Sequence, residues 1–258
     1  IPRNLQGYPL PAGLEDITAV CPSDQGYEQI SGLYACLTHP RYARDAVAGH
    51  YAGARDPAAR GVADTLGVLL DQPVDHYAVV DLGGFVDVVD ALGGVTVHVP
   101  RTIRHPLSPP RAGDDWQTYH LPAGEQHLDG ARALAFVRSR TGTSDYDRMR
   151  RQRCLVGALA EQTGTGDLVQ ALPDLVDVMT ERVRTDVPVD ALPPLIEVVG
   201  SADISTMGSL GLNPPEFQAA DRSPRLDEIR HAVHELFDDP ASAADDVAAV
   251  AAAGQVCS

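Results

Sequence analysis

Six of the chain's 20 arginines fall between Arg138 and Arg153, in the run Phe136-Val-Arg138-Ser-Arg140-Thr-Gly-Thr-Ser-Asp145-Tyr-Asp147-Arg148-Met-Arg150-Arg151-Gln152-Arg153. If Phe136–Arg140 is extended, Arg138 and Arg140 point to one face, two residues apart. Thr141–Ser144 then supplies a turn and a cap for a following helix. Several planar guanidiniums converging from a strand end and a helix start suit an oligo-anion. Arg grips phosphate or pyrophosphate bidentately, and a helix N-terminus adds a favourable dipole. The alternative is an Arg–carboxylate network that ties Asp145 and Asp147 to neighbouring arginines.

Helical geometry sorts these side chains. With about 100° per residue, Gln152, Leu155 and Leu159 fall within about 40° of Arg148, and Asp145 and Arg151 within about 60°. Arg150 and Arg153 fall on the opposite, solvated side. The stripe that carries Leu155 and Leu159 must face inward, so it begins with Asp145, Arg148, Arg151 and Gln152. Placing guanidiniums at the head of a core stripe is costly unless they meet charged partners or a ligand.

Composition narrows the chemistry further. The chain has 258 residues, 36 acidic against 20 basic side chains and a formal charge of −16. Every basic residue is Arg; there is no Lys. That excludes a Walker-type phosphate loop and Schiff-base chemistry on an amine. The acidity argues against a nucleic-acid binder, whose affinity comes from neutralising phosphates. Apolar residues at 44% are enough for a real core, and no run approaches the roughly 18 apolar residues of a spanning helix.

The elements that must position the cluster follow from periodicity. Residues Ile1 to about Pro40 read as mostly loop with short pieces. Asp56–Leu70 is helical, with Pro57 in its first turn after an Asp cap. His76–Leu82 reads as a strand. Phe85, Val88, Val89 and Leu92 then give a helix, Gly93–Gly94 ends it, and Val95, Val97 and Val99 alternate as a strand. This strand–helix–strand order indicates α/β architecture. Pro100–Pro122 reads as a long excursion. Asp129 caps a short helix running towards Val137, and a stronger helix runs from Ser144 to about Gln162. Helical stretches are expected near Asp167–Arg184 and Val189–Val199, a strand around Ile204–Leu210 and a last helix over Leu226–Phe237. One domain over 1–237 and a weakly ordered acidic, Ala-rich tail over 238–258 complete the division.

Other candidates carry less. The four cysteines admit two readings: disulfides, with Cys21–Cys36 closing a short loop and Cys154–Cys257 tethering the tail, or four free thiols. His231 and His234 match neither H-E-x-x-H nor H-x-x-E-H. His76 and His98 read as structural, and Asp81 and Asp90 as capping or supporting residues.

Four ordered segments carry a resemblance. Ile1-Pro2-Arg3-Asn4 looks like the end of an S-[IVL]-P-R-[DN] strand, cut just after its Ser. His76-Tyr77-Ala-Val-Val-Asp81, with Gly84-Phe85 and Val89-Asp90-Ala91-Leu92-Gly93-Gly94-Val95, forms a central strand–helix–strand. Leu128-Asp129-Gly130 through Ala133-Leu134-Ala135-Phe136-Val137-Arg138-Ser139-Arg140 follows L-x-G-x-x-A-L-x-[YF]-x-R-x-R. Asp145-Tyr-Asp-Arg148-Met-Arg-Arg151-Gln152 follows D-[FY]-x-R-x-x-R-Q. Together they resemble the LytR-CpsA-Psr family of cell-envelope proteins, and the Arg-only, Ala-rich composition suits an actinobacterial member.

The resemblance implies an α-β-α sandwich with a central mixed sheet, the family's N-terminal strands being missing from this chain. It implies a phosphotransferase on the extracytoplasmic face of the cell membrane. Such an enzyme moves a glycopolymer from a polyprenyl-(pyro)phosphate carrier to peptidoglycan or a related wall acceptor. The implied catalytic residues are Arg138, Arg140, Asp145 and Arg148; Arg3, Arg151 and Gln152 would join the arginines in holding the pyrophosphate. Mg²⁺ is the implied cofactor, its carboxylates expected upstream of Ile1, as is a membrane anchor. Preorganised guanidiniums and a metal would stabilise charge on the leaving phosphate. A non-catalytic carrier- or glycan-binding module or sensor, and a polyprenyl pyrophosphate hydrolase, are the alternatives.

Overall fold

The computed structural model describes residues 1–22, 26–107, 116–139, 145–163, 171, 175, 177–178, 180–191, 210–212 and 214–238. Within these it is a mixed α/β protein, and the chain sorts into two compact units. One comprises Ile1–Val79, Thr185–Leu192 and Gly208–Ala244; the other comprises Val80–Arg184, Pro193–Met207 and Asp245–Ser258.

The first unit is helical, with α1 Leu14–Thr18, α2 Ile30–Thr38, α3 Arg44–His50, α4 Pro57–Leu70 and, from the C-terminal part, α5 Leu226–Asp238. Asp56 starts α4 as its sequence predicts: its Oδ1 accepts from the Ala59 N–H at 3.0 Å and its Oδ2 from the Tyr34 hydroxyl at 2.8 Å. The buried side of α4 is built of small residues (Ala58, Ala59, Gly61, Ala63), which lets Leu14, Leu33, Leu37 and Val47 pack into one cluster. Cys21 and Cys36 are joined by a disulfide, with their Cα atoms 5.9 Å apart. A second cluster sets Leu69 of α4 against Ile229 and Val233 of α5, with Leu5, Leu212 and Phe217.

The stretch expected to be mostly loop therefore holds α1 and α2. Ile30-Ser-Gly-Leu-Tyr-Ala-Cys-Leu-Thr has a Gly and β-branched ends that weaken helix propensity. Burial of Leu33, Cys36 and Leu37 overrides it.

The second unit runs α6 Leu82–Ala91, β2 Val95–Val99, β3 Ile103–Leu107, β4 Gln117–Leu121, β5 Gly124–Leu128, α7 Gly130–Arg138 and α8 Asp145–Gln162. The sheets are two-stranded. β2 pairs antiparallel with β5, Val95 opposite Leu128, and β3 with β4, Ile103 opposite Leu121. A third couples β1 Ala78–Val80 with β6 Val183–Thr185, the strands in which the chain leaves the first unit and returns to it. Val95, Val97, Val99, Leu128, Leu134, Phe136 and Leu155 form the core. Gln162 at the end of α8 bonds both backbone groups of Thr96, at 2.8 and 2.7 Å, so α8 is pinned along β2.

Four expectations change here. The excursion over Pro100–Pro122 contains the β3–β4 pair. The strand expected over His76–Leu82 shrinks to β1, because Asp81 turns to cap α6, accepting from the Gly84 N–H at 2.6 Å. Val183 and Arg184, expected to be helical, lie in β6; of the helix expected over Val189–Val199, Val189–Ala191 form a 3₁₀ turn and 192–199 lie outside the described residues. The strand proposed for Ile204–Leu210, apart from Leu210, and the tail beyond Asp238 lie outside the described residues. No helix among the described residues is long and apolar enough to cross a membrane.

Candidate functional site

Arg138 ends a helix rather than lying in a strand. Asp129 caps α7 by accepting from the Arg132 N–H at 2.8 Å, and Ala133, Leu134, Phe136 and Val137 bury it. The extended Phe136–Arg140 pair foreseen from alternation is thus corrected: helix burial continues through Val137, and Ser139 is the C-cap. Arg140 and the Asp145 side chain lie outside the described residues, so the alternation of Arg138 with Arg140 has no described counterpart.

α8 then crosses the end of α7. Arg151 donates from Nη2 to the Ser139 carbonyl and lies 5.9 Å from the centre of the Phe136 ring. Gln152 reaches the Val137 carbonyl from Nε2 at 3.5 Å, although the residue is exposed overall. Both side chains thereby meet backbone carbonyls at the end of α7, where a helix leaves acceptors open. This holding role was not part of the sequence reading.

The inward stripe carries two guanidiniums into the unit. Arg148 and Arg151 are only 8% and 7% exposed, beside Leu155 at 1%. Arg150 and Arg153 are exposed, and Arg150 pairs with Asp147 at 2.6 Å. Burial holds the Arg151 guanidinium below the usual Arg range. Asp147 pulls it back up, while Arg101, Arg148 and Arg150 push it further down.

Arg138 stands apart from these. It is half-buried and donates no hydrogen bond to the described residues, and its Nη1 is fully buried without a partner. Native proteins rarely leave a buried donor open, and a charged one is costlier still. Of the residues expected to hold the pyrophosphate, Arg138, Arg148, Arg151 and Gln152 lie in one unit and Arg3 in the other. There it is exposed, and its carbonyl accepts from the Ser31 N–H at the start of α2.

Two further residues join the cluster. Arg101, just beyond β2, lines a cavity of about 90 Å³ with Arg150, Arg151, Asp147 and the Phe136 ring. His105 of β3 is half-buried, and its imidazole is held below its ordinary value by burial first, then by Arg138 and Arg151. Ile103, His105 and Leu107 alternate, which was the available signal for placing His105 on the buried face of a strand. The prolines around them hid it.

This environment predicts a proton linkage. An anion bound at Arg138 offsets positive charge beside His105 and so raises its pKa. Binding then takes up a proton, and affinity rises as pH falls through the interval between the free and bound values. NMR titration of the imidazole is expected to show His105 below 6.5 in the free chain and higher with pyrophosphate. Equal values in both states would contradict this placement.

The described donor set does not suit Mg²⁺. A hard cation needs several oxygen ligands, whereas this patch offers guanidiniums and one carboxylate, Asp147, already paired. Among the described residues no group of three or more His, Cys, Asp or Glu could hold a metal. Cys154, on the buried side of α8, is disulfide-bonded; Cys257 lies outside the described residues.

The α/β order, the Asp-capped helices, the half-buried Arg138 of α7 and the buried arginines of α8 accord with the family resemblance. The chain belongs to the LytR_cpsA_psr family, whose model matches residues 50–216. Cell wall biosynthesis protein LcpA of Corynebacterium glutamicum is 33% identical over 174 residues, covering 63% of this chain and 32% of that protein. TagV of Bacillus subtilis, named a polyisoprenyl-teichoic acid–peptidoglycan teichoic acid transferase, is 28% identical over 151 residues, 55% of this chain and 38% of that protein. The chain thus spans about a third of the length of these relatives. Among solved structures, TagT bound to LIIa-WTA superposes with a TM-score of 0.55 at 21% identity, covering 93% of this chain and 77% of that one. The B. subtilis TagV crystal structure gives 0.52 at 22% identity, covering 92% and 82%. At these identities the structural likeness is one of fold.

Proposed function

We propose that the chain is the transferring domain of a cell-wall glycopolymer phosphotransferase at the extracytoplasmic face of the membrane. It moves a glycan from a polyprenyl-(pyro)phosphate carrier to peptidoglycan or a related wall acceptor. The observation that carries this reading is the buried, unpartnered Nη1 of Arg138 in the unit that also buries Arg148 and Arg151. A pyrophosphate supplies the acceptor that Arg138 lacks, and its charge offsets the mutual repulsion of the arginines. The names of LcpA and TagV support the wall assignment.

During transfer, the leaving phosphate gains negative charge. Guanidiniums already held in place by burial can stabilise that charge without reorganising. Arg138 and Arg148 are the residues assigned to this work, with Arg151 holding the end of α7 in place. Arg140 and Asp145 belong to the same proposal by their positions in the motifs. Among the described residues no group of three or more His, Cys, Asp or Glu could hold Mg²⁺.

The test incubates the chain with a polyprenyl-pyrophosphate-linked saccharide and a peptidoglycan fragment, with and without Mg²⁺. The expected result is a glycan joined to the acceptor. Tight carrier binding without turnover would assign the non-catalytic reading, and phosphate release without an acceptor the hydrolase. Absence of carrier binding would overturn all three.

A further inference from the structure

The first unit holds a second, separate cavity of about 270 Å³. Leu10, Leu33 and the Cys21–Cys36 pair form an apolar wall, and the disulfide fixes that wall across the loop it closes. Tyr8, Tyr27 and Glu28 supply the aromatic and polar part. Glu28 is half satisfied: Oε1 accepts from the Gln6 amide at 3.1 Å, whereas Oε2 is buried without a hydrogen-bond partner. Glu28 makes no ion pair among the described residues. Its charge is felt nearby, since the Tyr8 phenol is pushed up to about 12 by burial first and then by Glu28.

We propose that this cavity binds an organic ammonium group, seated between the Glu28 carboxylate and the rings of Tyr8 and Tyr27. A carboxylate on a cavity wall with one oxygen left without a donor calls for one, and a cation also cancels the charge. Aromatic faces add a cation–π attraction that a neutral guest does not have. A divalent metal is a poorer match, because one carboxylate oxygen is far short of the six or more oxygens such ions take. The chain cannot fill the place with a Lys of its own, having none. The site stands independently of the transfer reaction proposed above.

The experiment titrates the whole chain with n-butylammonium and, separately, with the neutral n-butanol, followed by NMR. Saturable butylammonium binding is expected, with shifts on the Tyr8 and Tyr27 rings, and butanol should bind at least ~10-fold more weakly. Glu28→Gln keeps an acceptor for Gln6 and should lower the ammonium affinity by a similar factor. Equal binding of the two probes, an unchanged affinity in Glu28→Gln, or shifts confined to residues away from Tyr8 and Tyr27 would each overturn the proposal. So would a cavity that neither probe enters, which would then hold only water. Should Glu28→Gln fail to fold, the two-probe comparison and the map of shifts in the unmodified chain decide the matter.

Discussion

Arg138→Ala is expected to weaken capture of polyprenyl pyrophosphate by about 10- to 100-fold and to leave the melting temperature unchanged or slightly raised. The size follows from losing a charge-assisted bond of about 1.5–3 kcal/mol, at 1.4 kcal/mol per tenfold. The absence of a stability cost follows from what Arg138 does in the free chain. It donates no hydrogen bond to the described residues, so its removal strands no acceptor. It also removes one of the charges that disfavour the His105 imidazolium, so the His105 pKa should move upward. Arg151→Ala provides the contrast. That change strands the Ser139 carbonyl and uncovers the Phe136 ring, so folding and binding should fall together. Calorimetric melting and carrier binding on both variants separate a ligand-holding Arg from a structure-holding one. A clear drop in melting temperature with unchanged binding in Arg138→Ala would reverse the two assignments.

The parts of the fold that were visible in advance are those whose own residues carry the signal. Asp56, Asp81 and Asp129 each sit at a helix start and accept from the backbone three residues on. Val95, Val97 and Val99 alternate because alternate side chains are buried. The inward course of Arg148 and Arg151 was legible because Leu155 shares their stripe, and a helix cannot bury one without turning the others. What stayed hidden depends on partners distant in sequence. β5 is Gly-Glu-Gln-His-Leu, with Leu128 its one fully buried side chain, and it becomes a strand because β2 offers an edge. β3 carries Pro106 and, among the described residues, pairs only with β4, a position that tolerates Pro. The same dependence hid His105, whose place beside Arg138 and Arg151 follows from the strand. Gln152 shows the opposite error. The stripe predicts it to be inward, yet the first turns of α8 pass the end of α7, and the exposed Gln152 sends its amide to the Val137 carbonyl.

Gly130→Ala is expected to destabilise the second unit by about 1–3 kcal/mol or more, the range for forcing extra atoms into a packed contact. At about 2–4 °C per kcal/mol for chains of this size, the melting temperature should fall by several degrees. Gly130 is the first residue of α7, and a Cβ there would run into the backbone carbonyl of Val86 in α6. The usual relief, a small shift of the helix start, is blocked on both sides. The Gly130 N–H is tied to the Asp90 carboxylate at 2.7 Å, and Val86 itself is buried at 5% exposure. Any shift that does occur is carried along α7 to Arg138, eight residues on and about 12 Å away at 1.5 Å per residue. The variant should therefore lose pyrophosphate binding as well as stability, although Gly130 touches no ligand. Gly157→Ala is the control. It lies within α8 with nothing within 4 Å of the added carbon, and helix propensity predicts a gain of about 0.5–1 kcal/mol. Similar melting temperatures for the two variants would show that α6 and α7 do not meet backbone to backbone, and would remove the support proposed for Arg138.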